Sequence, residues 1–396
     1  MKAKMLLFTL FATCFCFFTC SISPVQPSLA YDIGLVEKKK ITLPIDENTY
    51  YLSKRIFQYE ESGTELLFFG NFERGAYNII LFNIEKESVH KRIQLDKEGP
   101  NGVPAIMGCR PWGSSGRFIA FQHNISRLSI IDSMGNVQKH YSIDPIDGRF
   151  IYCHDGLSYS SRPAIVKDSM VCFSSDVFKP DMKHNEWMNV SMFSSLDLRT
   201  GKIEQSLLNY PPIFEQNMKN LAGGHEFGYD YNYKHDCLVC SFYGYDSLMV
   251  VTDNMKNVRW YNGKSRYLKS IRPHLVEAGN LIKTLTQFRE NPLYTHVMYD
   301  KFRDVYYRFV EMPYELQPYD SPFDEPKGRE FSVIILDKDF RIIGETKFPG
   351  NKYFYKMSFV GRDGLYISEN NLANPEFDED KLVFACFKLK DLNEKE

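Results

Sequence analysis

The residue types in this chain that could carry chemistry are a Cys-x-x-Cys pair, nine histidines, a glycine cluster, an acidic run and a set of loop aromatics. Cys237-Leu-Val-Cys240 has the spacing of a redox dithiol or of half a zinc site. Zinc would need a second pair, which the sequence does not supply, and redox dithiols favour helix N-termini. This pair lies in a strand-like run, where positions i and i+3 point to opposite faces, so it reads as packing. The histidines show no HExxH or His-x-His spacing, and no metal or cofactor is expected.

His154 (before Asp155), His184 and His225 (before Glu226) fall in long segments between strand candidates. With Arg162 they offer proton-transfer groups and an anion-binding cation. Gly223, Gly224 and Gly228 lack any GK[ST] or strand–GxGxxG–helix context, so they read as a turn leading into a strand. Glu376–Asp380 (EFDED) is read as a solvated loop in preference to a cation site. Trp187, Tyr159, Tyr314 and Tyr319 have faces on which a sugar or peptide could stack. The candidate binding set is His154, Arg162, His184, Trp187, His225, Glu226 and Tyr319. No catalytic residue is assigned.

The elements that must position these residues come from an internal repeat. Phe331–Phe348 pairs an apolar strand with an Asp337 turn and a second strand. Copies of this hairpin occur at Ile79–Leu95, Leu128–Ile143, Met192–Leu208 and Leu248–Tyr261. Asn83, Asp132, Asp197 and Asp253 stand where Asp337 does, and their side chains can fix a tight turn. Gly135, Gly201 and Asn257 follow where a positive φ is expected. Two further short strands precede each hairpin. Four antiparallel strands recurring about every 50 residues indicate β-propeller blades.

A sixth blade is expected from Tyr355–Val360, Gly364–Ile367 and Lys381–Leu389, with its outer strand supplied by Lys40–Leu43. The expected fold is all-β, a six-bladed propeller closed by strands from both termini, which removes an open edge. Long insertions, such as Asp176–Asn189 and Pro313–Glu330 inside blades and Asp144–Ser161 and Asn262–Asn291 between them, share one face by strand parity, and binding is expected there. The opposite face carries short turns.

With 396 residues, 43% apolar and 25% charged, the chain can bury a sizeable core. A net charge of −2 provides no basic field, and nucleic-acid binding is not expected. Lys2 and Lys4 precede an apolar run from Met5 to Phe18, the pattern of a secretory signal. Two processing readings are open. Cys20 could be lipid-modified, which is favoured because it closes the apolar run, or cleavage could follow Ala30 and release a soluble protein. The first gives a signal at 1–20, a tether at 21–40, a propeller at 41–390 and a polar tail at 391–396. The membrane is then touched only through a lipid anchor. The six cysteines beyond the signal are scattered and read as small buried hydrophobes.

Lys97–Gly102 (KEGPNG), Tyr299–Arg308 (YDKFRDVYYR), Asp363–Ser368 (DGLYIS) and Phe377–Lys381 (FDEDK) together resemble a family of Gram-negative envelope lipoproteins, a domain of unknown function with a TolB-like six-bladed propeller fold. The likeness covers Ile41 to Leu389. It implies a secreted or lipid-anchored propeller and carries over no catalytic residue. Sialidase-type Ser-x-Asp-x-Gly-x-Thr-Trp turns are absent from the hairpins. The favoured expectation is a binding or scaffold module for a protein, peptide or glycan, acting through the long-loop face. The alternative is an envelope hydrolase or lyase on glycans or peptides, with Arg162, His154, His225 and Glu226 at a channel mouth.

Overall fold

A computed structural model describes residues 31–393 apart from 74–75, 114, 123–125, 144–149, 154–158, 179–189, 207, 212–225, 254, 270, 272–280, 319, 322 and 324–326. The chain begins with strand β1 (Ile33–Pro44). The first four-stranded antiparallel sheet is β2 (Ile56–Glu61), β3 (Thr64–Glu73), β4 (Ala76–Asn83) and β5 (Ser88–Leu95). The second is β6 (Ile106–Trp112), β7 (Arg117–Gln122), β8 (Arg127–Ile131) and β9 (Val137–Ser142).

The third sheet contains β10 (Phe150–Cys153), β11 (Ile165–Lys167), β12 (Met170–Phe178), β13 (Phe193–Asp197) and β14 (Ile203–Gln205). Its innermost strand is split, because β10 pairs with one end of β12 and β11 with the other. Strand β10 falls in the expected inter-blade loop Asp144–Ser161, which is therefore not wholly a loop. The fourth sheet is β15 (Phe227–Asn232), β16 (Cys237–Phe242), β17 (Ser247–Thr252) and β18 (Asn257–Asn262). A helix, α1 (Leu281–Glu290), occupies part of the long insertion expected over Asn262–Asn291.

The remaining strands are β19 (Leu293–Asp300), β20 (Val305–Glu311), β21 (Phe331–Leu336), β22 (Ile342–Phe348), β23 (Phe354–Val360), β24 (Leu365–Ser368) and β25 (Lys381–Asp391). They form one sheet in the order β19-β20-β21-β22-β1-β25-β24-β23. The join between β22 and β1 is a single parallel contact, Ile33 beside Gly344, so two antiparallel four-stranded halves touch there. Gly344 is required at that point because a Cβ would collide with the Ile33 carbonyl oxygen.

Strand β1 runs antiparallel to β25 from Ile33 opposite Asp391 to Pro44 opposite Lys381. The expected outer strand, Lys40–Leu43, thus begins earlier, inside the stretch read as a tether. The reason is that Leu35 packs with Phe387, Phe348 and Tyr353, which rewards the longer pairing.

Of six hydrophobic clusters among the described residues, five lie between neighbouring sheets and one between the two halves of the eight-stranded sheet. One joins the first and second sheets through Phe68 and Phe118. Another joins the third and fourth through Phe193 and Phe227. A further cluster gathers Ile41, Leu43, Met357 and Phe384 with Leu67 and Phe82, tying both ends of the chain to the first sheet. Cys237 and Cys240 fall in different clusters, on opposite faces of β16, and both are buried free thiols.

The repeated turn has a common cause. The Asp337 carboxylate accepts from the amides of Asp339 (2.9 Å) and Arg341 (2.8 Å). Asp132 accepts likewise from Met134 (2.8 Å) and Asn136 (2.9 Å), and Asp197 from Arg199 (2.9 Å). Gly135 and Gly201 have φ of 90° and 76°, as the left-handed turn position demands. Asn257 does not follow the expectation. The positive φ in that copy falls on Asp253 (52°) and Met255 (65°), because Asn257 already begins β18 and its side-chain amide bonds the Asp253 carboxylate.

Candidate functional site

The first strands of the sheets start around a common cavity, and backbone hydrogen bonds fix its rim. Ser160 N donates to Lys54 O (3.1 Å) and Tyr229 N to Ser161 O (2.8 Å). Tyr243 N donates to Glu226 O (2.9 Å) and Tyr294 N to Tyr243 O (3.0 Å). Close approach of β15 to β19 depends on Gly228, since a Cβ there would lie 2.5 Å from Thr295 O and 2.6 Å from the His296 Cα. The glycine expected to mark a turn is a packing residue.

The cavity, about 150 Å³, is lined by Lys54, Tyr159, Arg162, Glu226, Tyr243, His296, Tyr355 and Lys356 among others. Arg162 donates to Glu226 across the joint between the third and fourth sheets. The guanidinium is 9% exposed and the carboxylate 32%, so the pair is buried at its basic end. Burial alone would lower the Arg162 pKa, but Glu226 outweighs it and holds the guanidinium charged.

His296 is 2% exposed and stacks on Phe309, centroid 4.2 Å away, with the Tyr355 ring 5.6 Å away and closing a three-ring cluster. Burial, with Lys356 nearby, pushes its pKa down to about 3, and Glu311 opposes this weakly. It is therefore neutral at pH 7. Its Nε2 is buried with no hydrogen-bond partner among the described residues, although buried polar atoms are normally paired.

A neighbouring cavity of about 550 Å³ shares Lys54, Tyr355 and Lys356 and adds Lys327, Arg329, Glu311, Tyr50 and Tyr353. Glu311 pairs with Arg329 (2.7 Å) and Lys356 (3.4 Å) and accepts from the Tyr355 hydroxyl. Together the two cavities present five basic side chains and two acidic ones. Such a surface favours an anion, and the tyrosines give it flat apolar walls.

Of the residues expected from sequence, Arg162 and Glu226 meet in this cavity. His154, His184, Trp187, His225 and Tyr319, like Cys20, lie outside the described residues. Lys54, Tyr243, His296, Tyr355 and Lys356 were missed. Their shared signal is position, since Lys54, Glu226, His296 and Lys356 sit just before or early in the first strand of their units. Tyr314, the other loop aromatic read as a stacking surface, instead uses its hydroxyl on Asp320 (2.9 Å) and Lys327 O (3.1 Å).

Among the described residues, no group of three or more His, Cys, Asp or Glu is placed to hold a metal. In the acidic run, Asp378 pairs with Lys381 and caps Asp380 N at 3.0 Å, a solvated turn. No described helix is long and apolar enough to cross a membrane.

A family described as a domain of unknown function, DUF4221, matches residues 32–347. The structure is similar to the crystal structure of a DUF4221 member from Bacteroides vulgatus, 53% identical, with TM-score 0.85 over 91% of this chain and 99% of that one. It is also similar in fold to a Bacteroides fragilis protein provisionally described as exported, 11% identical, with TM-score 0.52 over 92% of this chain and 98% of that one. A comparison with curated proteins finds no match.

Proposed function

The chain belongs to the DUF4221 family, and from that premise we propose that it is an exported β-propeller that binds carboxylate-bearing glycans in its central cleft. Six blades closed by β1 against β25 form the scaffold of this reading. The six clusters between four-stranded layers and the twelve-residue strand from Ile33 to Pro44, paired with β25, support it. Export is supported by the Lys2–Phe18 leader pattern and by the fold neighbour described as exported. Lipidation of Cys20 supplies the anchor, and Cys20→Ser is expected to move the protein from the membrane to the soluble fraction.

The observation that carries the binding role is an unpartnered, buried His296 Nε2 in a cleft whose basic side chains outnumber its acidic ones five to two. A neutral imidazole can donate to a sugar hydroxyl or carboxylate without adding charge, and the lysines and arginines attract the anion. Tyr50, which is 55% exposed, offers a stacking face for a pyranose ring. Calorimetric titration with oligogalacturonate tests the reading against a neutral oligosaccharide of equal length. Saturable, salt-sensitive binding of the uronate alone is expected; equal or absent binding of the two ends the proposal.

A second reading has one specific support, that Glu226 and His296 line the same cavity as Arg162. That set could serve a hydrolase or lyase, with a carboxylate and a neutral imidazole for proton transfer and a cation for the substrate carboxylate. Ultraviolet absorbance of an unsaturated uronate product would reveal lyase chemistry directly, and reducing-sugar release would reveal hydrolysis.

A further inference from the structure

The far ends of the same first strands enclose a second compartment, of about 460 Å³, distinct from the basic cleft. Phe57, Arg110 and Asp230 come from the first strands of the first, second and fourth sheets, Met298 and Phe359 from the two halves of the eight-stranded sheet, and Pro163 precedes β11 of the third. Tyr233, Lys234 and Lys301, from short turns after β15 and β19, lie at its opening. It therefore opens on the face where no binding was expected.

Two opposite charges on its wall have no charged partner of their own among the described residues. Arg110 spends its Nε on the Pro111 carbonyl at 3.4 Å and lies over the Phe57 ring at 5.3 Å, while its buried Nη1 has no hydrogen-bond partner. Asp230 accepts one backbone amide on each oxygen, from Tyr231 and from Tyr299, both at 2.8 Å. Each carboxylate oxygen retains a further lone pair. Arg110 is close enough to act on Asp230 electrostatically, yet the two form no ion pair. A half-buried guanidinium and a half-buried carboxylate that line one cavity without touching leave room for a ligand bearing both complementary charges.

We propose that this compartment is a binding site for a free apolar amino acid. The ligand carboxylate accepts from the Arg110 guanidinium, its ammonium donates to Asp230, and its side chain packs against Phe57, Met298 and Phe359. The guanidinium–carboxylate contact is charge-assisted, and the apolar wall excludes water from it. A ligand with only one of the two charges leaves either Arg110 or Asp230 unmet, so discrimination against it is strong.

The probes are L-phenylalanine, L-leucine and L-methionine, titrated calorimetrically into the wild-type protein, with 3-phenylpropionate and phenethylamine as single-charge controls. At least one amino acid is expected to bind saturably, and both controls at least tenfold more weakly. Arg110→Gln and Asp230→Asn are each expected to lose tenfold or more, whereas His296→Phe, in the other cavity, retains the affinity. The proposal is overturned by no saturable binding of any of the three amino acids, by controls that bind equally well, or by folded Arg110 and Asp230 variants that keep full affinity. The wild-type comparison of probes decides the matter even if a variant does not fold.

Discussion

The imidazole of His296 lies against the ring of Phe309 with centroids 4.2 Å apart and planes 17° from parallel. A protonated ring in that position would be a buried cation beside Lys356, which is why its pKa falls to about 3. An unfolded histidine titrates near 6.5, so the folded state binds the proton less tightly than the unfolded chain. The stability contribution is complete above about pH 6.5 and drains away as pH falls toward 3.

At pH 4.5 the loss from this residue is about 3 kcal/mol, at roughly 1.4 kcal/mol per pH unit. His296→Phe keeps the stacking and does not titrate. Its urea midpoint is expected to shift less than that of wild type between pH 7.5 and 4.5. Asp230, whose carboxyl is raised to about 6 by burial, works in the opposite sense and is common to both proteins. Parallel midpoint shifts in the two proteins would refute this account.

Glu226 offsets Arg162 and also reduces the positive field of the cleft. Glu226→Gln leaves a buried guanidinium without its counter-charge, and a destabilisation of about 2 kcal/mol is expected, less than for a fully buried pair because the carboxylate side is partly exposed. For a binding module, the same change strengthens the affinity for oligogalacturonate. An enzyme using Glu226 would instead lose turnover, so paired affinity and activity measurements separate the two readings.

Arg308 is fully buried and donates to Ser241 Oγ and to the carbonyls of Tyr245, Asp246, Ser247 and Gly263, with its guanidinium 3.8 Å from the Tyr294 ring centroid. Burial lowers its pKa to about 10, still well above neutrality. Arg308→Lys keeps a charge but cannot reach this many acceptors from one nitrogen, and Arg308→Met reaches none. Thermal unfolding is expected to show a loss of about 3 kcal/mol or more for Arg308→Met, with Arg308→Lys between it and wild type. Unchanged melting of Arg308→Met would remove the structural role.

Deleting residues 33–44 leaves β25 paired with β24 alone and exposes its other backbone edge. The truncated protein is expected to self-associate more than the full chain in light scattering. A monodisperse, equally stable truncation would count against closure of the ring by β1.

The strands were legible because their physics is local. Apolar runs, turn-forming Asp residues and glycines recur in order, and the hairpin expected over Phe331–Phe348 appears as β21 and β22 with Phe331 and Phe348 stacked in register. The cleft was only partly legible. Arg162 and Glu226 were singled out from their segments, but their partnership spans sixty-four residues and depends on how two sheets meet. His296 sits in a strand that reads as ordinary core, Leu293–Asp300, every residue of which is buried. Nothing in its neighbours marks the one ring nitrogen left without a partner. Helix α1 was missed because its first turn carries no acidic residue, which left Asn280, an N-cap residue type just before it in the sequence, as the only start signal.

Ile33 lies opposite Asp391, whereas Pro44 lies opposite Lys381, the residue that follows the long 369–380 connection. The chain thus enters its first strand at the short-turn side. A lipid leash leading into Ile33 would moor the molecule by that underside and turn the basic cleft away from the bilayer, toward whatever diffuses past. The compartment at Arg110 and Asp230 would then look down at the membrane surface, sampling only what collects in the narrow gap beneath.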